Sequence, residues 1–122
     1  MAKKGPETRF SDGLREDLRR LGFRSYKRWG GVAFTQDGRI ISGAAKGMPD
    51  LEVVGRGRRF DVETKAKTGT LEADQIARIA ELRAGGGIVF VVRPANREQF
   101  MDLMGRWAAS PLPSEPPPAW TE

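Results

Sequence analysis

The sequence predicts an α/β fold in which helices pack against a mixed sheet. Apolar residues recur at helical spacing in three separate segments, and strand-like apolar runs lie between them. The run over residues 88–92 is continuously apolar, the pattern of a strand buried on both faces. A helical segment connects it to the preceding strand, which predicts a right-handed crossover between parallel strands. A chain of 122 residues fits one compact domain.

The first helix is predicted to begin at Pro6, because a proline at the first helical position loses no hydrogen bond. Gly22 favours the end of this helix. Four apolar residues form its inward stripe: Phe10, Leu14, Leu18 and Leu21. Residues 1–5 are predicted to be a loose basic arm.

A basic and aromatic segment, residues 24–31, leads into a predicted first hairpin. Its strands cover residues 32–35 and 39–42. Asp37-Gly38 between them is a strong signal for a tight hairpin turn.

The central hairpin is predicted to pair residues 51–54 with residues 59–65. If residues 55–58 form the turn, Asp50 lies opposite Glu63. This register gathers four apolar side chains on one face of the sheet: Leu51, Val53, Phe60 and Val62. A slip of one residue would mix them with charged side chains, so the apolar pattern favours this pairing.

The second helix is predicted to begin near Thr70, a favoured N-cap residue, and to end at glycines 85–87. Its core stripe comprises Leu71, Gln75, Ile79 and Leu82. A last helix follows Asn96, with the apolar residues Phe100, Leu103, Met104 and Trp107. Residues 110–122 hold five of the eight prolines and are predicted to be an extended tail, so the compact domain covers residues 1–109.

The composition narrows the possible chemistry. The chain contains no histidine and no cysteine, which excludes imidazole catalysis, zinc sites built from these residues, and disulfides. Any metal therefore needs oxygen ligands, which suits Mg²⁺ or Mn²⁺. The net charge of +5 favours an anionic polymer such as nucleic acid as partner. Because no apolar run reaches the roughly 18 residues of a membrane span, and no signal peptide is recognised, a cytoplasmic location without membrane contact is expected.

Two carboxylates meet in the predicted central hairpin. The Cβ atoms of Asp50 and Glu63 would lie about 5 Å apart on neighbouring strands, where like charges repel. A divalent cation between them, completed by the Thr64 carbonyl oxygen and waters, would remove this repulsion. Lys65 shares the face of Glu63 and can hold a water or stabilise charge on a phosphate, whereas the Thr64 side chain is expected to point away.

An ordinary solvated hairpin face with a Glu63–Lys65 pair is the alternative. Glu52 and Asp61 lie on the same face and fit this alternative. Binding of a second metal is a further option for these two acids, but pairing with arginines is favoured.

Two polar residues on apolar helical stripes support the site. Gln75 lies near the beginning of the second helix and can reach the end of the Glu63 strand; the alternative is a boundary glutamine. Glu7 lies three residues before Phe10 and extends the inward stripe of the first helix; the alternative is a favourable interaction with the helix dipole.

Four motifs occur in order along the chain: Lys46-Gly47-x-Pro49-Asp50-Leu51, Glu63-x-Lys65, Gln75 in a helix, and an apolar strand ending in Val91-Val92-Arg93. In this order they resemble the VRR-NUC (virus-type replication-repair nuclease) branch of the PD-(D/E)XK superfamily, as a stand-alone phage or bacterial member. The resemblance covers residues 7–93. Thr64 departs from the apolar residue frequent at its position, but it is expected to contribute only through its carbonyl.

The resemblance implies a restriction-endonuclease-like PD-(D/E)XK fold and Mg²⁺- or Mn²⁺-dependent hydrolysis of DNA phosphodiester bonds. It implies these metal ligands: Asp50, Glu63, the Thr64 carbonyl and, through a water, Glu7. Lys65 would position or activate the attacking water, and Gln75 would support the site. Stand-alone members resemble Holliday-junction resolvases of DNA repair, so branched DNA and a homodimer are expected by analogy.

Phosphate contacts are expected from basic side chains around the hairpin and in the arm: Lys3, Lys4, Arg24, Lys27, Arg28, Lys46, Arg56, Arg58, Arg59 and Lys67. Tyr26 and Trp29 can stack on exposed bases, although core packing is favoured for Trp29. The sequence therefore predicts a metal-dependent, structure-selective DNA endonuclease. The alternatives are a less selective nuclease, a non-catalytic DNA-binding module on the same fold, and a structural phage protein.

Overall fold

The computed structural model describes residues 5–28, 32–34, 36–38, 40–42, 46–115 and 118–119. Its elements, in chain order, are α1 Pro6–Arg20, β1 Arg24–Lys27, β2 Val32–Phe34, β3 Ile40–Ser42, β4 Leu51–Gly55, β5 Arg58–Thr64, α2 Ala73–Ala84, β6 Val89–Val92 and α3 Arg97–Ala109. The predicted arm up to residue 4 and Trp29 lie outside the described residues.

A four-stranded mixed sheet organises the fold, in the order β1-β4-β5-β6. The β1–β4 and β4–β5 pairs are antiparallel, whereas β5 and β6 are parallel and are connected through α2. The predicted α/β class, the mixed sheet and the parallel crossover are therefore confirmed. The predicted first hairpin also forms, as a separate two-stranded sheet of β2 and β3.

The register of the central hairpin is the predicted one. Val54 pairs with Arg59, and Leu51 pairs with Val62. The four side chains expected on one face, Leu51, Val53, Phe60 and Val62, are all buried. They join Leu14 and Leu18 of α1, and Phe100 and Met104 of α3, in one core. The apolar alternation was sufficient because only this register buries the whole set.

Strand β1 was not predicted from the sequence. Its residues Arg24, Tyr26 and Lys27 are exposed, so the segment lacks an alternating apolar pattern. The strand exists because its backbone pairs with β4, from Arg24 with Val54 to Lys27 with Leu51. A strand of this kind is stabilised by a distant partner that its own composition does not reveal.

Two further predictions are corrected at α2 and β6. The N-cap of α2 is Glu72, not Thr70, because Glu72 forms a capping box with Gln75. Strand β6 is not buried on both faces. It is an outer strand among the described ones, Ile88 precedes it and is 46% exposed, and Phe90 and Val91 are half-buried.

Side chains cover backbone carbonyls on the outer strands of the described sheet. The Arg15 guanidinium donates to Ser25 O of β1 at 3.2 Å. On β6, the Arg83 guanidinium donates to Val89 O at 2.7 Å and the Asn96 side-chain amide to Val91 O at 2.9 Å. These contacts reduce the tendency of an outer strand to pair with another chain.

The proline-rich tail is less independent of the domain than predicted. Residues 111–115 are exposed, but the backbone N–H of Leu112 donates to Arg56 O at 3.0 Å. The beginning of the tail thus lies against the turn between β4 and β5. No helix in the described part of the chain is long and apolar enough to cross a bilayer.

Candidate active site

The end of the hairpin opposite its turn carries the predicted site. Asp50 lies immediately before β4, and Glu63 and Thr64 end β5. The last hydrogen-bonded pair of the ladder is Leu51 with Val62, so Asp50 and Glu63 follow in line beyond it. The Asp50 carboxylate contacts the end of β5 directly. It accepts hydrogen bonds from the Thr64 N–H at 2.9 Å and the Thr64 hydroxyl at 2.7 Å.

The role of the Thr64 side chain was wrongly predicted. It is fully buried, and its hydroxyl contacts Asp50 instead of pointing away from the site. The reason is that Asp50 is outside the ladder, where its carboxylate can bend across the end of β5. The sequence signal for this contact is a hydroxyl residue next to Glu63, which the register of the hairpin brings close to Asp50. The proposed ligand role of the Thr64 carbonyl stays a prediction.

Glu63 is the most unusual residue of the site. It is only 3% exposed, and its Oε1 lies 3.7 Å from the Lys65 ammonium and accepts a 3.4 Å hydrogen bond from the Gln75 side-chain amide. Its Oε2 is buried and has no hydrogen-bond partner among the described residues. A buried carboxylate oxygen without a partner is energetically unfavourable, so it marks a position where a proton or a cation would stabilise the protein.

The electrostatics of Glu63 follow from this environment. The pKa of the Glu63 carboxyl is raised to about 7, chiefly by burial and next by the neighbouring Asp50 charge, with a smaller contribution from Glu7. The Lys65 ammonium and the Asp50 backbone N–H act in the opposite direction. Because burial dominates, Lys65 alone does not compensate the lost hydration, and a divalent cation would favour the ionised form.

Gln75 reaches the site, as predicted. Its Nε2 donates to Glu63, while its Oε1 accepts from the backbone N–H of Glu72 at 2.8 Å. The capping contact fixes which end of the amide faces Glu63. Gln75 therefore takes part in the capping box of α2 and also orients the Glu63 carboxylate.

Glu7 is placed less favourably than predicted. It lies in the first turn of α1 but is exposed, and the buried polar residue one turn later is Ser11. Because α1 begins at Pro6, Glu7 stands at its open end, where nothing covers it among the described residues. Its contribution to the pKa of Glu63 shows electrostatic influence on the site, not direct contact.

The loop before Asp50 packs tightly on the first turn of α2. Gly47 has a φ of +83°, and an added Cβ would overlap the carbonyl oxygen of Asp74. The Lys46 ammonium lies 3.8 Å from the Asp74 carboxylate, and the Arg78 guanidinium donates to Lys46 O at 3.3 Å. The glycine of the Lys-Gly-x-Pro-Asp motif thus brings the loop close to Gln75.

The predicted phosphate-binding residues divide between the two ends of the hairpin. Lys27, Lys46 and Lys67 lie at the end that carries Asp50 and Glu63, and all three are exposed. Arg24, Arg56, Arg58 and Arg59 lie toward the turn. The five residues of β4 span about 16 Å at the usual rise of a strand, so the two groups are well separated.

Arg58 and Arg28 are engaged in contacts within the chain, and their expected phosphate contacts stay predictions. Arg58 donates to the carbonyls of Trp107 and Ser110 and stacks over the Trp107 ring at 4.8 Å. Arg28 is only 18% exposed and binds Asp61 at 2.6 Å, with Glu52 at 3.6 Å. Their planar guanidinium groups suit such multiple contacts.

Arg56 and Arg59, which lie toward the turn, also contact the chain. Arg56 donates to Leu21 O at 3.0 Å, and Arg59 forms an ion pair with Glu52. The favoured expectation that Glu52 and Asp61 pair with arginines is therefore confirmed. These acids are not available as ligands of a second metal without losing those pairs.

The residues present are suited to a divalent cation, although the site is sparse. Among the described residues, no group of three or more acidic side chains could hold a metal. Asp50 and Glu63 nevertheless provide two carboxylates, and the Glu63 Oε2 is a buried oxygen that a hard cation could satisfy. Main-chain oxygens and water would have to complete such a site.

The fold and the site define an α/β domain with a buried, partly unsatisfied carboxylate at the end of a mixed sheet. No protein-family model and no curated protein matches this chain.

Proposed function

We propose that the chain is a divalent-metal-dependent DNA endonuclease of the PD-(D/E)XK type, close to its VRR-NUC branch, acting on branched DNA. One observation carries this proposal: the buried Glu63 Oε2, which has no partner among the described residues, beside Asp50 and Lys65. An ordinary solvated face would leave this carboxylate exposed to water. A cation provides the interaction that the surrounding protein does not.

In the proposed mechanism, Asp50 and Glu63 hold Mg²⁺ or Mn²⁺, together with the Thr64 carbonyl. When bound, the metal polarises the phosphate and lowers the pKa of water. Thr64 fixes the Asp50 carboxylate through two hydrogen bonds, and Gln75 orients Glu63. Lys65, whose side chain is 11% exposed, keeps a positive charge close to the reacting phosphate or its attacking water.

The exposed lysines at this end support an anionic substrate. Lys46 has an 88% exposed side chain, and Lys27 and Lys67 are exposed as well. Such lysines provide phosphate contacts without base readout, which suits recognition of DNA shape. A homodimer would place two sites for symmetric cleavage of a four-way junction.

The test compares wild type with Lys65→Ala on matched four-way, flap and linear DNA, in Mg²⁺, Mn²⁺ or EDTA. We expect metal-dependent cleavage, and a loss of about a hundredfold to ten-thousandfold in the variant with DNA binding retained. Arg106→Ala removes an exposed charge of α3 outside the site and should cleave like wild type. Undiminished cleavage by Lys65→Ala would contradict the proposal.

The second candidate is a non-catalytic DNA-binding module. The lack of a third metal-ligating acidic side chain in the described part of the chain favours it. Tight, salt-dependent binding of DNA without cleavage in either metal, and without metal binding by calorimetry, would support this second function.

A further inference from the structure

We infer that Arg28 is a positioning residue that holds the Pro49-Asp50 segment in place, with Glu52 and Asp61 as its anchors. This inference rests on the proposed function only where it concerns metal binding. It assigns a role to the half-buried ion-pair cluster of Arg28, Glu52 and Asp61, which the proposed mechanism does not use.

Arg28 contacts the Pro49-Asp50 segment through both its backbone and its side chain. The backbone N–H of Arg28 donates to Asp50 O at 2.8 Å, and its guanidinium Nη1 donates to Pro49 O at 2.9 Å. Two successive carbonyls immediately before β4 are thus held by one residue. The segment cannot shift without breaking both contacts.

The other end of the guanidinium is fixed by two acids of the sheet. Nη2 donates to Asp61 Oδ1 at 2.6 Å and lies 3.6 Å from Glu52 Oε2. Glu52 and Asp61 are directly paired across β4 and β5, so they present their charges together. The planar fork of arginine can contact carboxylates on one side and a carbonyl on the other, which a lysine cannot do at once.

This arrangement determines where the Asp50 carboxylate can lie. Asp50 is outside the ladder, so strand pairing does not hold its side chain. Its carboxylate contacts Thr64 from one side, while Arg28 fixes its backbone from the other. Residues that orient a metal ligand in this way typically change metal affinity tenfold to a hundredfold when they are replaced.

A phosphate contact is the competing role for Arg28, and it predicts different behaviour. The side chain is 18% exposed, so little of the guanidinium faces solvent. Loss of a phosphate contact would lower the affinity for DNA and its salt dependence, without altering metal binding. Loss of a positioning contact would weaken metal binding and leave the affinity for DNA unaltered.

The experiment uses the full chain with Arg28→Gln, Arg28→Lys and the control Arg106→Gln, after circular dichroism confirms that each is folded. Arg106 is an exposed arginine of α3 outside the site, so its replacement removes the same charge away from Asp50. Mn²⁺ affinity is measured by calorimetry, hydrogen exchange at the Thr64 amide by NMR, and affinity for a four-way junction in EDTA by fluorescence anisotropy.

We expect Arg28→Gln to weaken Mn²⁺ binding at least tenfold and to accelerate exchange of the Thr64 amide, with junction affinity within about twofold of wild type. Arg28→Lys should recover only part of both effects, and Arg106→Gln should change neither Mn²⁺ affinity, Thr64 exchange nor junction affinity. Unchanged Mn²⁺ affinity and Thr64 exchange in Arg28→Gln would overturn the inference. If wild type binds no metal and cleaves no DNA, the proposed function fails, while Thr64 exchange still decides the role of Arg28.

Discussion

The two ends of the β4–β5 hairpin both carry charged side chains, but they differ in whether those charges find partners within the described part of the chain. The turn end carries Arg56, Arg58 and Arg59, and each guanidinium contacts a carbonyl or a carboxylate of the chain. The other end carries Asp50, Glu63 and Lys65, and there a buried carboxylate oxygen has no partner among the described residues. Charged groups whose hydrogen-bond partners lie within the chain are typical of a structural cluster. A buried polar group without such a partner indicates a site for a ligand.

Gly47 and Gly57, one at each end of the hairpin, pack too closely on other backbone atoms to admit a Cβ. Substituting them is the test with the largest expected effect. Gly47→Ala should lower the free energy of unfolding by about 2–4 kcal/mol, because it adds a Cβ at positive φ against the backbone of α2. Gly57→Ala meets the carbonyl of Leu112, which belongs to the exposed tail and can move away. Urea denaturation of both variants measures the difference.

Gly86→Ala is the matched control for these glycines. It has a φ of +92°, but an added Cβ meets nothing within 4 Å in the described part of the chain. It should lose only about 1–2 kcal/mol through backbone strain. Equal losses in Gly47→Ala and Gly86→Ala would show that the packing of the loop on α2 is unimportant.

The pH dependence of stability tests the burial of Glu63 directly. Its pKa is raised from an ordinary 4.5 to about 7, so the folded state favours the protonated form. The stabilisation is complete below pH 4.5 and is lost as the pH rises through 7. The free energy of unfolding of wild type, relative to Glu63→Gln, should therefore fall by about 2–3 kcal/mol between pH 5 and 8.

Divalent metal sharpens this prediction. Under the proposed function, Mg²⁺ or Mn²⁺ at pH 8 should raise the melting temperature of wild type and not that of Glu63→Gln, because a ligand that binds only the folded state stabilises it. A difference in the free energy of unfolding between wild type and Glu63→Gln that does not vary with pH would contradict the raised pKa of Glu63.

At the turn end, Arg58→Ala should affect stability and not catalysis. The variant loses two hydrogen bonds to carbonyls and the stacking on Trp107, which together are worth about 1–2 kcal/mol. Thermal unfolding should show this loss. The rate of DNA cleavage, at a temperature where the variant is folded, should stay within about threefold of wild type. A loss of DNA affinity would instead show that Arg58 contacts phosphate.

Ser11 provides the smallest expected effect. Its hydroxyl, like the Glu63 Oε2, is buried without a partner in the described part of the chain, but it is neutral and lies within α1. Ser11→Ala should change the free energy of unfolding by less than about 1 kcal/mol, in the stabilising direction, because alanine removes the unsatisfied group and favours the helix. A marked loss of metal binding in this variant would show that the hydroxyl belongs to the site.

Sequence reasoning predicted the elements that carry regular apolar patterns. It located the three helices that the structure describes, the central hairpin with its register, and the parallel crossover to β6. It missed β1, whose exposed residues show no alternation, and placed the N-cap of α2 at Thr70, since the competing cap Glu72 depends on a contact with Gln75. The approach of Gln75 to Glu63 was predicted, because an interruption of an apolar stripe is visible in the sequence.

The sequence by itself determined the order of the elements other than β1, the pairing of β4 with β5, and the restriction to oxygen ligands that follows from the lack of histidine and cysteine. Only the tertiary structure decided which charges are engaged. Arg28 and Lys46 are both expected from the sequence to contact phosphate, yet the Arg28 side chain is half-buried against Asp61 and that of Lys46 is exposed. The physical reason is that periodicity reports short-range geometry, whereas burial and ion pairing depend on residues far apart in the chain, as between Arg28 and Asp61 or Gln75 and Glu63.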